Sequence, residues 1–208
     1  AYILALERHI FAARENQFKK KWKNLPYRSL GGVNIGICGL GSIGSEIAKT
    51  ASHFGMRVLG LSRSSAQTPL VEKVFSPSEI CELAKQVDYL VAVLPNTAET
   101  CGIINEEVLE ALGPQSVLIN AGRGTAVDEQ ALLNAVCNNA VRAAVLDVFS
   151  EEPLPEDNPL WNLDNVFITP HNSAMTFPED IAEIFCQNYR KFIAGKPLKY
   201  KIDFRRGY

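Results

Sequence analysis

Residues 33–51 constrain this chain more than any other stretch. An apolar run, Val33-Asn34-Ile35-Gly36-Ile37-Cys38, leads directly into Gly39-Leu40-Gly41-Ser42-Ile43-Gly44, and Ile43, Ile47 and Ala51 then recur at four-residue spacing. A strand, a glycine turn and a helix in that order give G-x-G-x-x-G its structural meaning, the opening of a dinucleotide-binding βαβ unit. The first glycine permits the tight turn, the second admits a pyrophosphate to the backbone, and the third lets helix and strand pack closely. The free N–H groups and the positive dipole end of the helix then hold the phosphates. Gly39, Gly41, Ser42, Ile43 and Gly44 are therefore expected to bind a cofactor.

The rest of the chain alternates in the same manner. Apolar strands are expected at 33–38, 57–62, 88–94, 117–119, 143–146 and 166–168. Between them lie helical stretches at about 42–54, from Ser76 to about Lys85, from Asn105 to Gly113-Pro114, and from Asp128 to about Asn138. Ser76-Pro77-Ser78-Glu79 and Thr176-Phe177-Pro178-Glu179 both read as capping boxes, the second opening a helix that stops near Gly195. Continuous apolar strands separated by helices predict a Rossmann-type α/β fold: a doubly wound parallel sheet with helices on both faces. Ile3, Leu6, Ile10 and Ala13 predict one amphipathic helix reaching about Trp22, ended by Asn24-Leu25-Pro26. Residues 196–208 form a charged, aromatic tail.

Composition narrows the partners. The chain has 208 residues, 47% hydrophobic and 21% charged, which is ordinary globular material. A net charge of −2 gives no reason to expect nucleic acid, and the basic run Lys19–Lys23 reads as a solvated helix end. Five cysteines (Cys38, Cys81, Cys101, Cys137, Cys186) lack CxxC spacing; reduced, buried thiols in a cytoplasmic protein are expected, with no metal and no disulfide framework. The apolar start stops at Glu7-Arg8, too short for a signal segment or a membrane span.

The second strand runs into Ser62-Arg63-Ser64, roughly 20 residues beyond Gly44, where an acid bonds the ribose 2′-hydroxyl or an arginine accommodates a 2′-phosphate. No acid stands between Leu59 and Val71. A guanidinium flanked by hydroxyls grips a phosphate through charge-assisted bonds. NADP(H) is therefore expected over NAD(H), with Arg63 stacked on adenine as the alternative.

Three further segments fall where strands of such a sheet end, the region in which open α/β sheets bind ligands. They are Asn120-Ala121-Gly122-Arg123-Gly124-Thr125, Leu146-Asp147-Val148-Phe149-Ser150-Glu151-Glu152-Pro153-Leu154, and Ile168-Thr169-Pro170-His171-Asn172-Ser173. Each has a bland explanation on its own. Together they offer a cation, an acid and an imidazole at successive strand ends.

With these motifs the chain resembles the D-isomer-specific 2-hydroxyacid dehydrogenases. The likeness runs from Gly39–Gly44 through Leu94-Pro95-Asn96-Thr97 with Thr100, Asn120–Gly124 with Val127-Asp128, and Leu146–Phe149. It continues with Glu152-Pro153-Leu154, Pro159-Leu160-Trp161, and Asn165-Val166 through Thr169-Pro170-His171, over roughly residues 1–195. The resemblance implies a reductase of a small 2-oxo acid to the D-2-hydroxy acid, of the glyoxylate/hydroxypyruvate or phosphoglycerate dehydrogenase type. Arg123 would bind the carboxylate and carbonyl of the substrate, His171 would be the general acid and base, and Glu152 would orient the imidazole. Leu94, Pro95, Thr100, Ala121, Gly122 and Ser173 would join the cofactor site, with Asp147 at the nicotinamide end. Glu152 rather than Glu151 is chosen because it directly precedes the proline; a glutamine there would have pointed to formate dehydrogenases.

Two local departures stand out: Asn138-Asn139-Ala140 replaces the usual helix-ending glycine, and Asn172-Ser173-Ala174-Met175 replaces a glycine-containing run. Members also carry roughly a hundred residues before the first helix, most of a substrate domain, a typical domain size. The expected organisation is thus an interdomain or dimerisation helix at 1–24, a dinucleotide domain at 25–195 and a tail, with the substrate domain absent. A homodimer is expected. The alternative from a different class is a cofactor sensor or corepressor-like protein with no chemistry of its own.

Overall fold

The computed structural model describes residues 1–63 and 69–204. Seven strands form one parallel sheet: β1 Asn34–Cys38, β2 Arg57–Leu61, β3 Lys73–Phe75, β4 Tyr89–Ala92, β5 Val117–Asn120, β6 Ala143–Leu146 and β7 Val166–Ile168. Their order is β3-β2-β1-β4-β5-β6-β7. That order is the doubly wound Rossmann sequence with one strand added, and it reverses between β1 and β4. The expected fold class is thus the observed one.

Side chains alternate between the two faces. Leu59, Leu61, Leu90, Leu118 and Leu146 meet α4 Ile80–Ala84, α5 Glu106–Leu112 and α6 Glu129–Cys137 through Leu83, Leu109 and Leu132. Ile35, Ile37, Val58, Val91 and Val145 pack on the other side with Ala48 and Ala51 of α3 Ser42–His53. Strands such as β4 and β6 are buried at every residue, which is why they read as unbroken apolar runs.

Caps follow the sequence in part. Ser76 N–H donates to Glu79 Oε2 at 2.8 Å, completing the first capping box. It opens a 3₁₀ turn, Pro77–Glu79, that runs into α4. Asn105 and Asp128 accept from Val108 and Ala131 N–H and cap α5 and α6. The second capping box is not formed: α7 Pro178–Ile193 begins at Phe177 without a side-chain cap, carried by proline in its first turn. Asn139 adopts φ 55°, so an asparagine takes the left-handed position after α6 that glycine usually fills.

The expected first helix is two: α1 Tyr2–Glu7 and α2 Ile10–Phe18. His9 stands between them at φ 52°, its Nε2 2.9 Å from the Pro26 carbonyl. Glu7 is clamped at the domain surface by Arg28 and Arg142, so the chain turns away directly after it. Ile3 and Leu6 pack against the core, whereas Ile10 is 55% exposed and α2 buries no residue. β3 was not expected; three residues on a sheet edge give too short an alternation to read. The thiols also differ from expectation, since Cys38 is buried while Cys101, Cys137 and Cys186 are exposed. Among the described residues, no helix is long and apolar enough to cross a membrane.

Candidate active site

All strands being parallel, their carboxyl ends share one edge, and every segment singled out from the sequence emerges there. The cleft opens at the β1/β4 reversal. Gly39 turns the chain out of β1 at φ 102°, and its N–H donates to the Leu61 carbonyl at 3.0 Å. A side chain at Gly44 would put Cβ 1.9 Å from the Gly39 carbonyl oxygen, so helix and turn touch backbone to backbone. Gly41 differs: its φ is −75°, and an added Cβ would meet nothing within 4 Å. Neither packing nor backbone conformation requires glycine at that position. The open space beside it would let a ligand lie against the backbone.

The first bond of the α3 ladder runs from Ser45 N–H to the Gly41 carbonyl at 2.9 Å. The N–H groups of Ser42, Ile43 and Gly44 precede the ladder and point out of the helix end, as a bound pyrophosphate requires. The donors and the open space at Gly41 therefore fit a dinucleotide.

A cleft of about 760 Å³ extends from this point. Thirteen expected residues line it: Gly39, Gly41, Ser42, Ile43, Gly44, Ser62, Arg63, Leu94, Pro95, Thr100, Ala121, Gly122 and Arg123. Ser64 lies outside the described residues. Asp147, His171 and Ser173 are not on the cleft wall but belong to the loops beside it. Leu40, Leu61, Pro77, Val93, Glu99 and Ile103 also line it and were not anticipated. Thr100 Oγ1 donates to the Pro95 carbonyl at 2.6 Å and accepts from Thr97 N–H at 3.0 Å, fixing the loop after β4. From that loop Glu99 reaches Arg63 at 2.5 Å. An acid in a run of threonines carries no local sign of this contact.

β5, β6 and β7 are neighbours, and the loops after them carry Arg123, Glu152 and His171. Asn120, 1% exposed, accepts from Gly122 N–H at 3.2 Å and donates to the Arg123 carbonyl at 3.0 Å, bracing the arginine loop. A Cβ on Gly124 would fall 1.9 Å from the Phe149 carbonyl carbon, so this loop lies directly on the loop after β6. The Arg123 side chain is exposed, with Nη1 donating to the Gly122 carbonyl at 2.7 Å.

Glu152 and His171 form one unit. His171 Nδ1 stands 2.7 Å from Glu152 Oε2, and Phe149 N–H donates to Oε1 at 2.9 Å. The imidazole and that N–H hold the Glu152 carboxyl below the usual carboxylate range, so it stays ionised and accepts only. An acceptor at Nδ1 puts a proton on that nitrogen and leaves Nε2 for chemistry.

Asp147 organises the His171 loop. Its carboxylate accepts from Thr169 Oγ1 at 2.5 Å and from the N–H groups of Asn172 and Ser173 at 3.0 Å each, and its carbonyl accepts from His171 N–H at 2.8 Å. Burial pushes this carboxyl up, but the hydrogen bonds from Thr169, Ser173 and Asn172 outweigh it and hold it below the usual range. At 4% exposure its work lies in the loop. His171 itself sits at φ 49°, a left-handed position that this fastening sustains.

Comparison with known proteins agrees with this arrangement. The family model of the D-isomer specific 2-hydroxyacid dehydrogenase NAD binding domain matches residues 1–173. A glyoxylate/hydroxypyruvate reductase A from Salmonella newport is 36% identical over 187 residues, 90% of this chain and 60% of that protein. A solved D-isomer specific 2-hydroxyacid dehydrogenase family protein from Aeromonas salmonicida superposes with a TM-score of 0.91 at 45% identity, covering 98% of this chain and 66% of that one. An NADPH-dependent glyoxylate/hydroxypyruvate reductase from Sinorhizobium meliloti, solved with NADP and sulfate, gives a TM-score of 0.92 at 29% identity, over 100% of this chain and 67% of that one. The chain thus spans about 60% of the length of the curated relatives it matches. By its glycine cleft, its strand-end loops and these matches, the chain belongs to the D-isomer-specific 2-hydroxyacid dehydrogenase family.

Proposed function

We propose that this chain is the dinucleotide-binding part of an NADPH-dependent reductase that converts a small 2-oxo acid of the glyoxylate or hydroxypyruvate type to its D-2-hydroxy acid. The observation that carries this is the His171–Glu152 pair, on loops neighbouring that of Arg123 and beside the cleft at the glycine turn. The bound cofactor supplies the hydride. The chain's own groups do the rest. Ser42–Gly44 hold the pyrophosphate, and Ser62 and Arg63 hold a 2′-phosphate. Leu94, Pro95, Thr100, Ala121 and Gly122 form the wall, and Asp147 serves the nicotinamide end through the Asn172–Ser173 backbone it fastens.

Arg123 takes the substrate carboxylate and polarises the carbonyl, which fixes the reacting carbon in one orientation. His171 then delivers a proton from Nε2 to the carbonyl oxygen and takes it back in the reverse reaction. Glu152 keeps the ring oriented through Nδ1. A cofactor sensor would need the cleft but has no use for an ionised carboxylate behind an exposed imidazole, so the enzyme is the better account.

The relatives' greater length supports a division of labour in which the 208 residues bind cofactor and the remainder completes the substrate site. The exposed apolar residues of α2, such as Phe11 and Phe18, support a second copy as partner. Titrating NADPH into the 208-residue chain, assaying glyoxylate and hydroxypyruvate reduction, and sedimenting the same sample test the whole proposal. Tight NADPH binding, little turnover and a dimer are expected. Absence of NADPH binding would refute the cofactor assignment, brisk turnover the division of labour, and a single monomeric species the partner.

A further inference from the structure

The cleft has two banks at its outer end. One is the end of β2, carrying Arg63; the other is the loop after β4, carrying Glu99. Their side chains join across the cleft at 2.5 Å, and both residues line it. Both are well exposed, 42% and 67% at the side chain, so the pair is a surface ion pair of modest strength. Such a pair yields readily to a stronger anion.

We propose that Glu99 is a specificity-determining residue that competes with the cofactor's 2′-phosphate for Arg63. The proposal rests on the reading of Arg63 as the 2′-phosphate ligand. A phosphate monoester carries about −1.5 to −2 charge near neutrality and offers three acceptor oxygens, against one charge and two oxygens on a carboxylate. When NADP(H) enters, the phosphate replaces Glu99 on the guanidinium, and the carboxylate turns to solvent. When NAD(H) enters, it brings no group able to displace Glu99, and the pair persists. Glu99 thus lowers affinity for both the right cofactor and stray phosphates, and it neutralises Arg63 in the empty cleft.

The size of the effect follows from the strength of the pair. A ligand that must first free its partner loses affinity by the fraction of time the partner is engaged. For an exposed ion pair, Glu99→Gln should tighten NADPH binding about two- to fivefold. The affinity for NADH should change less than about twofold, since NADH makes no call on the guanidinium.

The test is fluorescence or calorimetric titration of NADPH and NADH into the 208-residue chain and its Glu99→Gln, Arg63→Ala and double variants, each checked for an unchanged melting temperature. The expected outcome is a gain for NADPH alone in Glu99→Gln, a selective loss of NADPH in Arg63→Ala, and no gain from Glu99→Gln once Arg63 is gone. An unchanged NADPH-to-NADH ratio in Arg63→Ala means that the reading of Arg63 has failed. A selective loss in Arg63→Ala combined with no NADPH gain in Glu99→Gln, or with equal shifts for both cofactors, overturns the role of Glu99 alone. Weaker NADH binding with NADPH unchanged in Glu99→Gln also overturns it, and makes the carboxylate a ribose ligand instead.

Discussion

The two edges of the sheet use the same side-chain chemistry to opposite ends. At the amino ends of the strands, Glu7 is 4% exposed and lies among Arg28, Tyr89 and Arg142. Arg28 also holds Asp88, whose other oxygen accepts from Asn34 N–H. Glu7, Arg28, Asp88 and Arg142 all pair within the same chain, although Arg142 Nε is buried without a hydrogen-bond partner among the described residues, and the cluster fastens α1 to the starts of β1, β4 and β6. At the carboxyl ends, Arg123 and His171 are exposed, as are Ser42 and Ile43 at the start of α3. Charges at the first edge are spent on one another. At the second, Arg123 and His171 stay exposed, and the buried carboxylate of Asp147 holds the histidine loop in place. Buried charge pairs at the amino edge hold the fold together, whereas the pairs at the carboxyl edge, His171–Glu152 and Arg63–Glu99, are more exposed and stand at or beside the cleft.

Substitutions at the two edges should therefore fail in different ways. The largest effect belongs to His171→Ala in the protein at the length of its relatives: kcat for glyoxylate reduction falls about 10²- to 10⁴-fold. Melting should stay near that of the parent, because the side chain is 52% exposed. A fall of less than about tenfold would place the proton donor elsewhere.

Glu7→Ala should do the reverse, sparing NADPH binding while destabilising the domain by about 2–4 kcal/mol in denaturant unfolding, because Arg142 and Arg28 lose a buried partner. Burial pushes the Glu7 carboxyl up, but the bonds from Arg28, Tyr89 and Arg142 win and bring it from an ordinary 4.5 down to about 2. A depressed folded value means that this stability is fully present above the ordinary value and is lost as the pH falls towards the folded one. The gap between parent and variant should therefore hold at neutral pH and close between about pH 4.5 and 2. A gap that widens in acid would remove Glu7 from the account.

How much could be read beforehand divides along the same line. The glycine turn, the apolar strands and the strand-end positions of the Arg123, Glu152 and His171 loops are legible because each segment is written in a few consecutive residues. Asn139 stands in for a helix-ending glycine without disturbing α6, so that departure was only local. What escaped were pairings across the sheet. No acid lies near Arg63 in sequence, yet Glu99 arrives from 36 residues away once β1 and β4 sit side by side. Glu7 meets Tyr89 and Arg142 across separations of 82 and 135 residues. Strand order makes those contacts, and no local pattern announces them. The break at His9 escaped for the same reason: helical spacing continues through it, while the clamp on Glu7 that turns the chain is tertiary.

Gly41 separates binding from folding more directly than any other position. Gly41→Ala adds a Cβ in open space at a φ any residue adopts, so it should alter stability by no more than about 1 kcal/mol as a cap effect. If a dinucleotide pyrophosphate lies against that backbone, the same methyl group should weaken NADPH binding by about tenfold or more, since even one methyl in a tight contact is felt. Titration of NADPH into the parent chain and Gly41→Ala, with melting curves beside it, reads both quantities. A selective loss of NADPH affinity with melting preserved is the predicted result. Equal affinity in the two proteins would contradict the claim that this edge of the sheet is built to hold a dinucleotide.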